Sequence, residues 1–215
     1  MVIGSDWRIW PSAVERCAAP TTAAMAAAAE TLQSHLEFVL DERAGSLTPE
    51  QRRFLDVALR YGDRLVHLVE DMRLIALAEA GELDLVWSRF DLASTARAVA
   101  EQVWPIAHVE GKGLDVRHDG SVPVDADEPR VTRALLALLS DAVEFASSGT
   151  TVTLAVEDGG LELRYTGDQG PSETTLALLE AIVGLHAGDV SVLVESGAVA
   201  LGIRLEARPA LVAVA

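Results

Sequence analysis

At 215 residues, half of them apolar and 23% charged, the chain is long enough to bury a core of its own and too apolar to stay disordered. Seventeen Lys and Arg against thirty-three Asp and Glu leave a formal charge of −16, which argues against an unaided grip on nucleic acid or an anionic membrane and favours protein partners. A single cysteine, Cys17, excludes an internal disulfide, and no apolar run reaches the ~18 uncharged residues of a membrane span, so the chain reads as cytoplasmic.

Residues 1–20 lack a clear period, contain Pro11, and read as an N-terminal arm in which Trp7 and Trp10 pack onto something. From Thr22 to Arg43 the positions Met25, Ala28, Leu32, Leu36, Val39 and Leu40 recur at helical spacing, and Gly45 serves as the stop. Thr48-Pro49-Glu50-Gln51 then offers an N-cap, a proline at the first helical position and a Gln to close a capping box. In the helix that follows, Phe54, Ala58, Tyr61, Leu65, Leu68, Met72 and Ile75 keep a strict 4-3 spacing, a heptad seam rather than a merely amphipathic face. Leu55, Val57, Leu59, Val66 and Val69 widen the apolar surface beyond what one neighbour covers. A hairpin over residues 21–80 that pairs with a copy of itself into a four-helix bundle resolves both demands.

After Gly81 the pattern changes. Leu83-Asp84-Leu85-Val86-Trp87 alternates like a strand, and Asp91 caps a helix running to Ala107. Leu114–Arg117 reads as a strand, with a loop containing Pro123 after it. Asp127 or Glu128 opens an apolar helix ending at Phe145. Thr150–Val156 and Leu161–Tyr165 form a hairpin across Asp158-Gly159-Gly160, a helix spans Thr174–His186, and strands at Val190–Glu195 and Val199–Glu206 follow. The predicted fold class is therefore α+β: a helical hairpin, then over residues 81–208 a two-layer sandwich with a mixed or antiparallel sheet under helices, and a tail at 209–215.

This order of elements behind a dimerising hairpin resembles the transmitter half of a sensor histidine kinase. GSLTPEQRRFLDVALRYGDRLVHLVEDMRLIALAEAGEL is similar to the turn and second helix of that family's dimerisation domain. RFDLASTARAVAEQV, VDADEPRVTRALLALLSDAVEFASSG and AIVGLHAGDVSVLVESG resemble, in order, the first helix, the N-box helix and the terminal helix and strand of its ATP-binding domain. The resemblance covers about residues 22–208.

The departures shape the functional reading. The family's phosphorylated His belongs near the start of the first helix, close to Ala23, and a methyl group has no lone pair with which to attack phosphorus. Where the resemblance implies two Asn serving Mg²⁺ and phosphate, the chain has Ala137 and Asp141 in LLALLSDA. Asp168-Gln169-Gly170-Pro171 looks like the adenine-recognising Asp-x-Gly-x-Gly, with Ser172 at the second Gly. Only Ser172-Glu173 then precedes the next helix, so the lid and the second Gly-rich turn are absent. Asp141, Asp168 and Gly170 are the candidates for residual nucleotide contact, and the expectation is that ATP binding, and with it any cofactor, is lost.

The resemblance thus points to a degenerate kinase without catalytic residues: a homodimer through Phe54, Ala58, Tyr61, Leu65, Leu68 and Met72. Its expected partner is a response-regulator receiver domain or another histidine kinase, received on the alanine-rich first helix at Ala26, Ala27 and Leu32. Two alternatives remain. His35 or His67 could serve as a displaced phosphoacceptor in a phosphorelay, or Asp168 could serve a nucleotide sensor. His186 matches a framework histidine of the family, while His108 and His118 lack any ligand pattern, and no two histidines have zinc-site spacing.

Overall fold

The computed structural model describes residues 12–157 and 159–205, with side chains from residue 24 onward. Trp7, Trp10, Asp158 and the tail 209–215 lie outside the described residues. The chain divides into two compact units between Leu83 and Asp84.

The first unit is a hairpin of α1 (Ser12–Leu40) and α2 (Pro49–Glu79). Helix α1 begins inside the segment read as an arm and ends three residues before Arg43. The capping box at α2 is formed as predicted: the Thr48 hydroxyl accepts the Gln51 N–H at 3.2 Å and the Gln51 side chain accepts the Thr48 N–H at 2.9 Å. Gly45, at φ +131°, stands in the connection where a side chain would be strained. Helix α2 carries two apolar stripes. Gly62 and Val69 are buried, and Leu55, Leu59 and Val66 half-buried, on one 4-3-4-3 line, and Leu36 of α1 packs over Gly62, 3.7 Å from where a Cβ would stand. The other line is the predicted seam. Phe54 is 70% exposed and Tyr61 68%, with Leu65, Leu68 and Met72 also open.

The second unit runs β1 (Ser88–Asp91), α3 (Leu92–Val109), β2 (Gly113–His118), β3 (Pro123–Ala126), α4 (Glu128–Phe145), β4 (Thr151–Glu157), β5 (Gly160–Thr166), α5 (Glu173–Leu185), β6 (Asp189–Glu195) and β7 (Ala198–Arg204). Its five-stranded sheet is ordered β2-β4-β5-β7-β6. Only β2 and β4 are parallel, and β1 pairs antiparallel with β3 in a separate ribbon. Alternate strand residues, among them Leu154, Leu163, Tyr165 and Leu201, are buried with Leu92, Leu135, Leu138, Leu178 and Ile182 of α3, α4 and α5. The mixed sheet under one helical layer is the predicted architecture.

Two local expectations fail. Residues 83–87 form no strand, because the Val86 N–H is given to the carboxylate of Asp127 at 2.8 Å and the paired segment starts only at Ser88. Pro123, read as part of a loop, opens β3 opposite Asp91, an edge position where a missing N–H costs no ladder bond. Asp91 is at once the end of β1 and the N-cap of α3. Its carboxylate accepts from Ser94, Ala93 and Val122, and the Ser94 hydroxyl, foremost among these bonds, holds it below the ordinary carboxylate range.

A buried polar node ties the helical layer together. His186, the C-cap of α5, accepts the Asp127 N–H on Nε2 at 2.9 Å and therefore carries its proton on Nδ1, which donates to the Ile182 carbonyl at 2.7 Å. Asp127 caps α4 through the Arg130 N–H and pairs with the Arg130 guanidinium at 3.4 Å, and the Trp87 ring meets His186 edge-on. A buried N–H left without its acceptor costs about 1–3 kcal/mol. His186→Phe is therefore expected to lower stability by that amount in urea unfolding and to strip hydrogen-exchange protection from the Asp127 amide; retained protection would refute the node.

Candidate functional site

The α4–α5 end of the second unit holds the predicted nucleotide residues. Asp141 lies one turn from the end of α4, half-buried, and its Oδ2 accepts the Ser172 N–H at 2.8 Å. Ser172 is the N-cap of α5: its hydroxyl accepts the Thr175 N–H at 3.3 Å and lies 3.2 Å from the Thr175 hydroxyl. The carboxylate of Asp141 is thus engaged in holding the helix start. Ala137, one turn earlier, is buried.

Residues 167–172 are all that join β5 to α5. A Cβ on Gly167 would stand 2.6 Å from the Phe145 carbonyl, so only glycine fits, and its N–H donates to the Gly197 carbonyl at 2.9 Å. Asp168 follows with an exposed carboxylate. Gly170 faces β6, where a Cβ would meet the Val194 Cγ2 at 3.3 Å. The structure therefore places Asp168 and Gly170 on one turn against the β6–β7 hairpin, and Asp141 at the other end of the same short link. A shallow cavity of about 310 Å³ opens elsewhere, on the uncovered sheet face beside Glu162, Asp189, Ser191, Gly202 and Arg204.

Sequence reasoning passed over Tyr165. Its hydroxyl donates to the Gln169 carbonyl at 2.8 Å and braces the Asp168 turn from below. Burial, and secondarily the charge of Asp141, pushes its ionisation up to about 12. An inward aromatic directly before an Asp-x-Gly turn was the available signal. Ser172 was missed as well, although Ser-Glu-Thr-Thr before an apolar run is a helix-start pattern.

In the hairpin, Ala26 is half-buried while Ala27 and Leu32 are exposed on α1. His35 is exposed, with Nδ1 2.7 Å from the Thr31 carbonyl, and His67 is exposed on α2 and engaged with a neighbour. Among the described residues no helix is long and apolar enough to cross a membrane, and no cluster of His, Cys, Asp and Glu has metal-site geometry.

No protein-family model matches the chain. The autoinducer 2 sensor kinase/phosphatase LuxQ of Vibrio parahaemolyticus is 29% identical over 102 residues, 46% of this chain and 12% of that protein. The probable sensor protein PcoS of Escherichia coli is 32% identical over 106 residues, 49% of this chain and 22% of that protein. The chain therefore spans only a small part of the curated relatives it matches. The histidine kinase AdeS of Acinetobacter baumannii shares the fold with a TM-score of 0.61, covering 84% of this chain and 95% of that one at 22% identity. The chain is histidine-kinase-like, and its second unit has the fold of a histidine kinase ATPase domain.

The raised Tyr165 value has a pH consequence. An unfolded tyrosine ionises near 10.0 and the folded one near 12. Its contribution is complete below the lower value and is lost as pH rises through the upper one. Tyr165→Phe is expected to cost about 1 kcal/mol at neutral pH through the Gln169 bond and to flatten the alkaline decline of the urea midpoint; an unchanged decline would assign it to other groups.

Proposed function

We propose that the chain is a dimeric, non-catalytic signalling adaptor built on a histidine-kinase-like core, binding a response-regulator receiver domain or a partner histidine kinase and acting by occupancy. The observation that carries this reading is the open stripe of α2. Phe54, Tyr61, Leu65, Leu68 and Met72 remain exposed although α1 already covers the other stripe of the same helix. From Phe54 to Met72 they span about 27 Å, the footprint of a second hairpin. Ala26, Ala27 and Leu32 on α1 are the proposed receiver-docking positions.

Loss of phosphoryl transfer is supported residue by residue. Ala23 stands where the family resemblance implies the phosphorylated His, and Ala137 offers no oxygen to Mg²⁺. One carboxylate oxygen of Asp141 already accepts the Ser172 N–H, and residues 167–172 are too few to fold over a triphosphate. Asp168 alone suits a nucleotide, through an exocyclic amine. This set does not fit Mg-ATP as a reactive ligand.

The expected outcome in light scattering at micromolar concentration is a dimer that Tyr61→Glu with Leu68→Glu converts to a monomer of unchanged helicity, alongside no phosphate taken up from Mg-ATP. A monomeric wild type, or phosphate uptake from ATP, overturns the reading.

One observation favours a second reading, a phosphorelay transferase. If the His35 Nδ1–H donates to the Thr31 carbonyl, Nε2 keeps its lone pair at an exposed position. That nitrogen would take a phosphoryl group from an acyl phosphate as the carboxylate leaves, or from phosphoramidate as the P–N bond breaks and ammonia leaves. Incubation with phosphoramidate should then give acid-labile phosphate that His35→Asn abolishes; none on the wild type eliminates this reading.

A further inference from the structure

The seven residues of β6, Asp-Val-Ser-Val-Leu-Val-Glu, close one end of the sheet and, among the described residues, pair with β7 alone. Edge strands of soluble proteins are ordinarily protected by lysine, proline, a bulge or a covering element. The opposite edge follows that rule in part, because β2 carries the Asp115–Arg117 ion pair at 2.7 Å on a strand whose Leu114 and Val116 are half-buried. Strand β6 has no Lys, Arg or Pro between Asp189 and Glu195, and its register with β7 is unbroken from end to end.

Its apolar side chains are open on both faces. Val192 and Val194 stand opposite buried Leu201 and Val199, on the helical side of the sheet, yet remain 41% and 47% exposed. Leu193 projects to the uncovered side and is 55% exposed. An occupant must therefore be apolar on the helical side, and on the uncovered side, where Leu193 stands between Ser191 and Glu195, it needs one apolar residue among polar ones.

The ends of the strand set the charge of that occupant: Glu195 has uncharged Ala198 opposite it, while Asp189 faces Arg204 on β7 with Glu157 and Glu162 close by, so both ends stay acidic on balance. Asp189 and Glu195 are exposed and about 20 Å apart along an extended chain. A second copy of β6 is a poor match. Antiparallel pairing centred on Val192 sets Asp189 against the copy's Glu195 twice, and parallel pairing in register sets like against like, both destabilising arrangements. A strand with basic ends reverses both terms.

We propose that the free edge of β6 is a docking site for an extended, apolar segment of a partner protein that carries Lys or Arg at both ends and adds to the sheet as a sixth strand. This goes beyond the adaptor reading and does not depend on the α2 stripe.

The probe is an amidated peptide of sequence RVTVIVK carrying fluorescein on its N-terminus, followed by fluorescence anisotropy against the full chain. Saturable micromolar binding is expected. Asp189→Lys with Glu195→Lys, both at exposed positions, should weaken it about tenfold and create binding to EVTVIVE. N-methylation of alternate peptide amides should abolish binding, since the ladder bonds are lost. Absence of saturable binding, indifference to the charge reversal, or unimpaired binding of the N-methylated peptide would each overturn the proposal. So would binding that emerges only after residues 206–215 are removed, which would make the chain's own tail the occupant, or a dimer that Leu193→Lys dissociates, which would make it a second copy.

Discussion

The second unit depends on a buried imidazole whose two nitrogens are both committed. Because His186 Nε2 must accept the Asp127 N–H, the proton sits on Nδ1 and is given to Ile182, so the residue works as a neutral connector. The node joins the C-terminus of α5 to the N-terminus of α4, and through Asp127 it also takes the N–H of Val86. At their other ends the same two helices are joined by Asp141 and Ser172. An antiparallel helix pair is thus clasped by a polar contact at each end, with Leu135, Leu138, Leu178 and Ile182 buried between the clasps and the sheet. Burying the His186 imidazole and the Asp127 carboxylate is tolerable because both nitrogens of the one and both oxygens of the other are bonded, so the clasps fix the helix register where apolar packing alone would allow sliding.

Much of this was legible in the sequence where side-chain period and backbone chemistry agree. The α2 start could be read from Thr48 and Gln51 because a capping box is local, and the β4–β5 hairpin because Gly159 and Gly160 interrupt two β-rich runs. Residues 83–87 misled for the opposite reason: their alternation records which side chains turn inward, whereas strand identity is decided by where the N–H of Val86 goes, and its acceptor lies 41 residues away. The candidate site divides in the same manner. Asp168 and Gly170 sit together because they share a turn, but the commitment of Asp141 to Ser172 is a contact across 31 residues that no spacing rule anticipates.

The two stripes of α2 show the limit of pattern reading from another side. Both follow a 4-3 spacing, and the one with the larger side chains reads as the stronger seam, yet the line through Gly62 is the one filled by α1. A helix of the same chain is held in place by the connection, so the stripe it covers needs less bulk. Bulky ones suit a partner that must be held by area alone.

The short link between β5 and α5 carries one more consequence. With Gly167 wedged under Phe145, Gln169 held by Tyr165 and Ser172 held by Asp141, this end of the unit has little conformational entropy left to lose. A surface of this kind needs no ordering before it is met. A partner meeting it would be limited by diffusion and charge, without the slow closing step that a long flexible segment imposes.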